Sequence, residues 1–271
     1  MDRIISASSS TVKGLVLLRQ KAVRRRQSRS FLIEGERLVL DAPEQFIKEL
    51  YVTEDALTRR KEDLKSRGLL QRTTLVSEEV MEKISDTKTP QGLLAVAMQP
   101  LYSMDEVTGR ESLGNRQAQK PLLLLLEDIQ DPGNLGTMLR TAEAAGVTGI
   151  IMSRGTVDVF NPKVVRSTMS AIFRQPFIYV EDLTGTVRML QERSIRVYAA
   201  CLEESTAYHR ADYTGACAVA VGNEANGLSE ELIRQADQRI RIPMAGSIES
   251  LNAAISAGIL LYEAARQRNF A

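Results

Sequence analysis

The chain has 271 residues, of which 44% are hydrophobic and 25% charged, with a formal net charge of +1. This is an ordinary composition for a soluble globular protein, with enough apolar content for one large or two ordinary domains. Two cysteines, Cys201 and Cys217, and one histidine, His209, form no disulfide framework, metal-ligand spacing or serine–histidine motif, so metal and triad chemistry are set aside. No signal-peptide pattern opens the sequence, and no apolar run approaches the ~20 residues needed to span a bilayer. The expected location is cytoplasmic.

Charge is unevenly placed. Residues 1–99 hold 18 Lys/Arg against 14 Asp/Glu, while residues 100–271 hold 17 against 20. The excess concentrates in "KGLVLLRQKAVRRRQSRS", residues 13–30, with seven basic side chains and no acidic one. Such a stretch attracts phosphate backbones without reading sequence, but it equally suits a solvated helical face. Arg24, Arg25, Arg26 and Arg29 are its candidate phosphate contacts.

In chain order, Leu15, Leu18 and Ala22 fit a helix, "FLIEG" a strand, "ERLVLDA" a helix and "IKELYVT" a strand. "EDALTRRKEDLKSRG" reads as a charged helix ended by Gly68; "TTLVS", "EEVMEKIS" and "GLLAVAMQP" complete a small α/β unit over 1–99. Residues 100–120 lose periodicity and collect Gly, Ser and Asn, which predicts a linker. From Pro121 the rhythm is regular. "LLLLL" at 122–126 is an unbroken apolar run suited to a strand buried on both faces of a parallel sheet. A helix at about 134–146 follows, then "GIIMS", then "NPKVVRSTMSAIF", with Asn161 as N-cap and Pro162 at the first helical position. "PFIYV", a helix at about 184–193, "IRVYAA", "ACAVAVG", a helix at about 229–236, "QRIRIP" and a long helix at about 250–267 close the chain. This alternation predicts a doubly wound α/β domain over 121–271, whose ligands sit at the carboxyl ends of the strands.

Three strand-end loops carry unusual chemistry. In "EDIQDPGNLGTMLRTAEAAG", Pro132-Gly133 predicts a tight turn and Asn134 a helix cap. Leu135, Met138, Leu139 and Ala142 mark the buried stripe. Arg140 falls off that stripe, where a surface pair with Glu143 would account for it. The loop lacks the G-x-G-x-x-G dinucleotide fingerprint. In "VAVGNEANGLSEEL", Gly222 ends a strand, Glu224 sits in the turn, Asn226-Gly227 signals a turn, and Ser229 can cap a helix opening with two glutamates. In "IPMAGSIESLNAAISAGILLYE", a loop of small and polar residues leads into a helix that suits a tight core, a dimer interface or a ligand wall.

Together, "DPGNLGTMLRTA", "VGNEANGLS" (residues 221–229) and "IPMAGSIESLNAAISAGILLYE" closely resemble three motifs of the SpoU/TrmH family of RNA ribose 2′-O-methyltransferases. "FLIEGERLVLDA" and "SDTKTPQGLLAVA" are more weakly similar to the family's N-terminal substrate-binding domain. The resemblance implies a catalytic parallel-sheet α/β domain with a deep trefoil knot, preceded by a small α/β RNA-binding domain, acting as a homodimer. It implies S-adenosylmethionine held largely by main-chain groups at Gly222, Ile242 and Leu251, with Met244 and Asn252 nearby. Asn134, Arg140, Glu224, Ser250 and Asn252 fall on the family's functional polar positions. One departure stands out: Thr168-Met169-Ser170-Ala171 replaces a common Ser-x-Gly-Ala run. The expected substrate is ribosomal RNA, favoured over transfer RNA by the separate N-terminal domain. The alternatives are a non-catalytic RNA-binding or ribosome-assembly protein on this fold, and a nucleotide-dependent oxidoreductase, against which the missing glycine fingerprint speaks.

Overall fold

In the computed structural model, which describes residues 2–110 and 120–268, contacts divide the chain into two units. One comprises Met1–Pro100 with Asp158–Phe173, the other Leu101–Val157 with Arg174–Ala271.

The first unit is built on a mixed sheet of β1 (Arg3–Ile4), β2 (Ser30–Glu34), β3 (Ile47–Val52), β4 (Thr73–Val76) and β5 (Leu93–Met98), in the order β1-β4-β3-β5-β2. Its helices are α1 (Ser10–Gln20), α2 (Ala22–Ser28), α3 (Glu36–Asp41), α4 (Glu54–Ser66) and α5 (Glu78–Ile84). Val12, Leu15 and Leu18 of α1 and Val80, Met81 and Ile84 of α5 bury against Leu32, Tyr51, Val76, Leu94 and Val96 of the sheet. Ser9, Thr53 and Ser77 cap α1, α4 and α5 by accepting a backbone N–H three residues on, which satisfies a donor the helix itself cannot.

The basic stretch differs from its prediction as one helix. Lys21 adopts an extended conformation, φ −116° and ψ 111°, between α1 and α2. The break turns Arg25 inward, leaving it 3% exposed. Its Nη1 donates to the Leu18 and Arg19 carbonyls at 2.9 and 2.7 Å, and its Nε to Asp158 Oδ2 at 2.8 Å. Arg25 is therefore committed to the end of α1 and cannot reach RNA, which corrects its place among the candidate contacts. Arg24, Arg26 and Arg29 remain exposed.

The second unit opens with α6 (Met104–Val107), held by a Ser103/Glu106 capping box, inside the stretch read as a linker; residues 111–119 of that stretch lie outside the described residues. Then come β6 (Leu122–Leu126), α7 (Pro132–Ala144) and β7 (Gly149–Ser153). The chain next supplies residues 158–173, with α8 (Pro162–Ser167), to the first unit. A division at residue 121 does not anticipate this excursion. Its causes are non-local: Phe31 packs on Phe160 and Phe173 at ring-centroid distances of 4.8 and 5.8 Å, and Asp158 meets Arg25. Asn161 caps α8 with Pro162 at its first turn, as expected. After α8, Met169 and Ser170 turn left-handed at φ 49° and 73°. Ser170 thus occupies a conformation that favours glycine.

The second unit resumes with β8 (Phe177–Val180), α9 (Leu183–Glu192), β9 (Arg196–Ala200), β10 (Thr206–Ala207), β11 (Cys217–Val221), α10 (Glu230–Gln235), β12 (Gln238–Arg241) and α11 (Ala253–Gln267). Its seven strands are all parallel in the order β10-β12-β9-β11-β6-β7-β8. The five leucines of β6 are buried throughout between β7 and β11, as a sheet covered on both faces requires. From β6 the chain runs outward through β7 and β8, then crosses to the other side for β9. The β6/β11 pair is thus the switch point of the sheet, where open α/β sheets place their ligand crevice. No helix among the described residues is long and apolar enough to cross a membrane.

Candidate functional site

At the carboxyl ends of β6 and β11, the loops 127–131 and 222–229 lie side by side, the Glu127 N–H donating to the Val221 carbonyl at 3.1 Å. Gly222 has no room for a side chain, because a Cβ there would collide with the backbone of Gly227 and Leu228. The glycine therefore serves the folding of the loop onto itself. Gly227 closes the turn at φ 69°. Ser229 caps α10 as predicted, and Glu127 accepts both its N–H and its hydroxyl at 2.7 Å, pinning the far end of the loop.

The α7 cap differs from prediction. Asp131, at φ −78° and ψ 121°, is the N-cap, and its Oδ1 accepts the Asn134 N–H at 2.8 Å. The signal was present in the sequence, since a proline at the first helical position makes the residue before it the cap. Asn134 is thereby free of capping duty, and its side chain faces the other two loops. Its Nδ2 donates to Glu224 Oε1 at 2.9 Å, while its Oδ1 accepts from Asn252 Nδ2 at 2.9 Å. Asn252 in turn caps α11, its Oδ1 accepting the Ala254 and Ile255 N–H groups at 2.9 and 3.2 Å.

The direction of this relay is set at both ends. At one end, helix N–H groups can only donate, which commits the Asn252 oxygen. At the other, an ionised carboxylate can only accept, which commits the Asn134 nitrogen. Glu224 also accepts the Gln130 and Asp131 N–H groups at 3.1 and 3.2 Å. Partial desolvation works against its ionisation, but the Asn134 amide and the surrounding backbone N–H groups outweigh it and hold the carboxyl below the usual carboxylate range.

Beside the relay lies a cavity of about 710 Å³, of the size that holds small-molecule ligands. All five predicted cofactor positions, Gly222, Ile242, Met244, Leu251 and Asn252, line it, as do Glu224 and Ser250. Ser250 is exposed there, with no hydrogen bond among the described residues. The lining mixes apolar residues (Val221, Ile242, Leu251, Leu260) with polar and charged ones (Asn223, Glu224, Arg239, Arg241), which suits a ligand with both an apolar and a polar part. The segment Ala200–Glu203 after β9 completes the wall; it carries no motif, and sequence reasoning passed over it. Arg140 stands outside the lining. It is exposed on α7, and its side chain has no hydrogen bond or ion pair among the described residues. Glu143, the partner that would have accounted for it, pairs instead with Arg174 Nε at 2.8 Å.

The chain is similar to known proteins over most of its length. Residues 121–262 match the SpoU rRNA Methylase family, and residues 9–95 match the MRM3-like substrate binding domain. The chain is 35% identical over 264 residues to 23S rRNA (guanosine(2553)-2′-O)-methyltransferase RlmP of Bacillus subtilis, covering 97% of this chain and 98% of that one. It is 34% identical over 232 residues to 23S rRNA (guanosine-2′-O-)-methyltransferase RlmB of Coxiella burnetii, covering 85% and 92%. Among solved structures, the AdoMet-bound rRNA methyltransferase from Sinorhizobium meliloti superimposes with a TM-score of 0.83 at 33% identity, covering 98% of this chain and 97% of that one.

Proposed function

The chain belongs to the SpoU rRNA methylase family, and from that premise we propose that it methylates the 2′-hydroxyl of a ribose in ribosomal RNA, using S-adenosylmethionine. The observation that carries this reading is the Glu224–Asn134–Asn252 relay at the edge of a cofactor-sized cavity. Because the relatives matched over most of their length are named as guanosine methyltransferases of 23S rRNA, we infer a guanosine ribose of the large-subunit RNA as substrate. Such work would take place in the cytoplasm.

When bound, S-adenosylmethionine supplies an electrophilic methyl group on a sulfonium. The rest falls to the chain. Backbone groups at Gly222, Ile242 and Leu251 would hold the cofactor, with Met244 and Asn252 also lining its cavity. In-line displacement demands that the ribose oxygen be held close to the methyl carbon, and much of the rate can come from that positioning. The relay fixes the loop that Glu224 occupies against the start of α7, and Ser250 and Asn252 both line the cavity. A guanidinium keeps its proton in proteins. We therefore assign Arg140 the task of gripping the phosphate beside the target ribose, for which its planar fork of donors is suited. RNA docking belongs to the first unit, through Arg24, Arg26 and Arg29; the division into residues 1–99, a linker at 100–120 and a catalytic domain at 121–271 is part of this reading. So are the trefoil knot and the homodimer that the family resemblance implies.

Two measurements test it. Ribosomal RNA from a strain lacking the protein should accept tritiated methyl groups from S-adenosylmethionine, at a single 2′-hydroxyl on mapping. Calorimetric titration should show S-adenosylmethionine binding and no NAD binding. Cofactor binding without any methyl acceptor would leave a non-catalytic RNA-binding role.

A further inference from the structure

The loop between β6 and α7 contains a residue that the motif comparison does not single out. Asp128 is left-handed, at φ 55°, a conformation that disfavours non-glycine residues, though aspartate and asparagine less than others, unless the surroundings hold it. Here they do, on three sides. Ser153, at the end of β7, accepts the Asp128 N–H at 2.8 Å and donates its hydroxyl to Asp128 Oδ1 at 2.6 Å. The Asp128 carbonyl accepts from Asn223 Nδ2 at 2.8 Å and from Gln130 Nε2 at 3.2 Å. Gln130 Nε2 also donates to the Gly155 carbonyl at 2.6 Å. Gly155 itself must lack a side chain, because a Cβ there would collide with the Asp128 carboxylate.

Asp128 is thus the crossing point of the loops that follow β6, β7 and β11. The turn it makes has a direct consequence at the site. Two residues on, the Gln130 and Asp131 N–H groups point into the Glu224 carboxylate, while Asn223, the residue before Glu224, is tied back to the Asp128 carbonyl. The two loops therefore clasp each other through reciprocal bonds, and the clasp closes only if residue 128 is left-handed. An extended residue 128 would swing its carbonyl away from Asn223 and carry the 130–131 N–H groups off Glu224.

We propose that Asp128 is a positioning residue for methyl transfer: locked by Ser153, its left-handed turn sets the Glu224–Asn134 contact and the start of α7, on which Arg140 is carried. This rests on the methyltransferase reading above. It predicts that residue 128 acts on turnover far more than on cofactor affinity, because neither Asp128 nor Ser153 lines that cavity and, of the groups they hold, only Asn223 and Glu224 reach it.

The test is Asp128→Val, whose branched side chain resists the left-handed region, alongside Asp128→Asn, which tolerates it and keeps an acceptor for Ser153. Methyl transfer is followed with tritiated S-adenosylmethionine on ribosomal RNA from a strain lacking the protein, and cofactor Kd is measured separately by calorimetry. The expected result is a kcat about 10²-fold lower for Asp128→Val, as misplacement of reacting groups by an ångström produces, with Kd for the cofactor and KM for RNA little changed. Asp128→Asn should recover most of the turnover. Should Asp128→Val fail to fold, Ser153→Ala removes both locking bonds more gently and should lower kcat in the same selective way. Wild-type kcat in Asp128→Val or, where that variant does not fold, in Ser153→Ala overturns the proposal. Parallel losses in kcat and cofactor affinity, or no recovery in Asp128→Asn, overturn it too and leave a merely structural role. If the wild-type protein transfers no methyl group, it is the parent reading that has failed, and the variants do not enter.

Discussion

At the level of single residues, Arg140 and Asn134 show how differently two motif positions can be read before and after folding. Arg140 sits at a spacing that suits a surface pair with Glu143, yet Glu143 is taken by Arg174, and a long cation is left facing solvent one side away from the buried stripe. We expect Arg140→Ala to lower methyl transfer at least ~10²-fold while leaving the cofactor Kd within about twofold, because the side chain lies outside the cavity lining. A turnover near wild type would remove it from the site. Asn134→Asp tests the relay with almost no change of shape. It replaces the Nδ2 donor facing Glu224 Oε1 with an acceptor, setting two carboxylates against each other. The expected outcome is a loss of turnover of about tenfold or more, together with a Glu224 carboxyl that titrates at higher pH than in the wild type, measurable by NMR.

At the level of elements, most of the secondary structure was legible because its signals are local. A buried parallel strand announces itself as five leucines, and proline after asparagine or serine before two glutamates marks where α8 and α10 begin. What was not legible depends on distant partners. Lys21 lies between two helical runs without glycine or proline, so only the packing of Arg25 against Asp158, 133 residues away, reveals the break. The two-residue strands β1 and β10 are too short to carry a period. Of the site, the motif positions could be named, but the clasp at Asp128 rests on a left-handed conformation that an aspartate permits without requiring it.

The loop after β11 also carries a pH signature. Glu224 is held below the usual carboxylate range against the cost of partial desolvation, by Asn134 and the 130–131 backbone. A carboxyl group depressed in the folded state adds stability above its unfolded pKa and loses it as pH falls through the folded value. The clasp should therefore be intact at neutral pH and loosen only well on the acid side. Wild-type loop protection in hydrogen exchange should drop on acidification, and Glu224→Gln should flatten that dependence. Equal slopes in the two proteins would show that the carboxylate does not hold the loop.

At the level of the whole molecule, the two units are expected to divide labour, and the basic stretch of the first unit separates the roles within four residues. Arg25 is internal: its ion pair with Asp158 has side chains 4% and 25% exposed. Removing one partner of so enclosed a pair costs on the order of 3 kcal/mol, so Arg25→Ala should lower the unfolding midpoint without a specific effect on RNA. Arg24, Arg26 and Arg29 face solvent and are free to release counterions from an RNA backbone. Their joint replacement by alanine should leave the midpoint within about 0.5 kcal/mol per site, weaken rRNA binding and flatten its dependence on log salt by up to roughly two to three units. The cofactor cavity is walled entirely by second-unit residues, so its affinity for S-adenosylmethionine should not move. An unchanged salt slope in that triple variant would return the stretch to an ordinary solvated surface and send the search for the RNA contact elsewhere on the first unit.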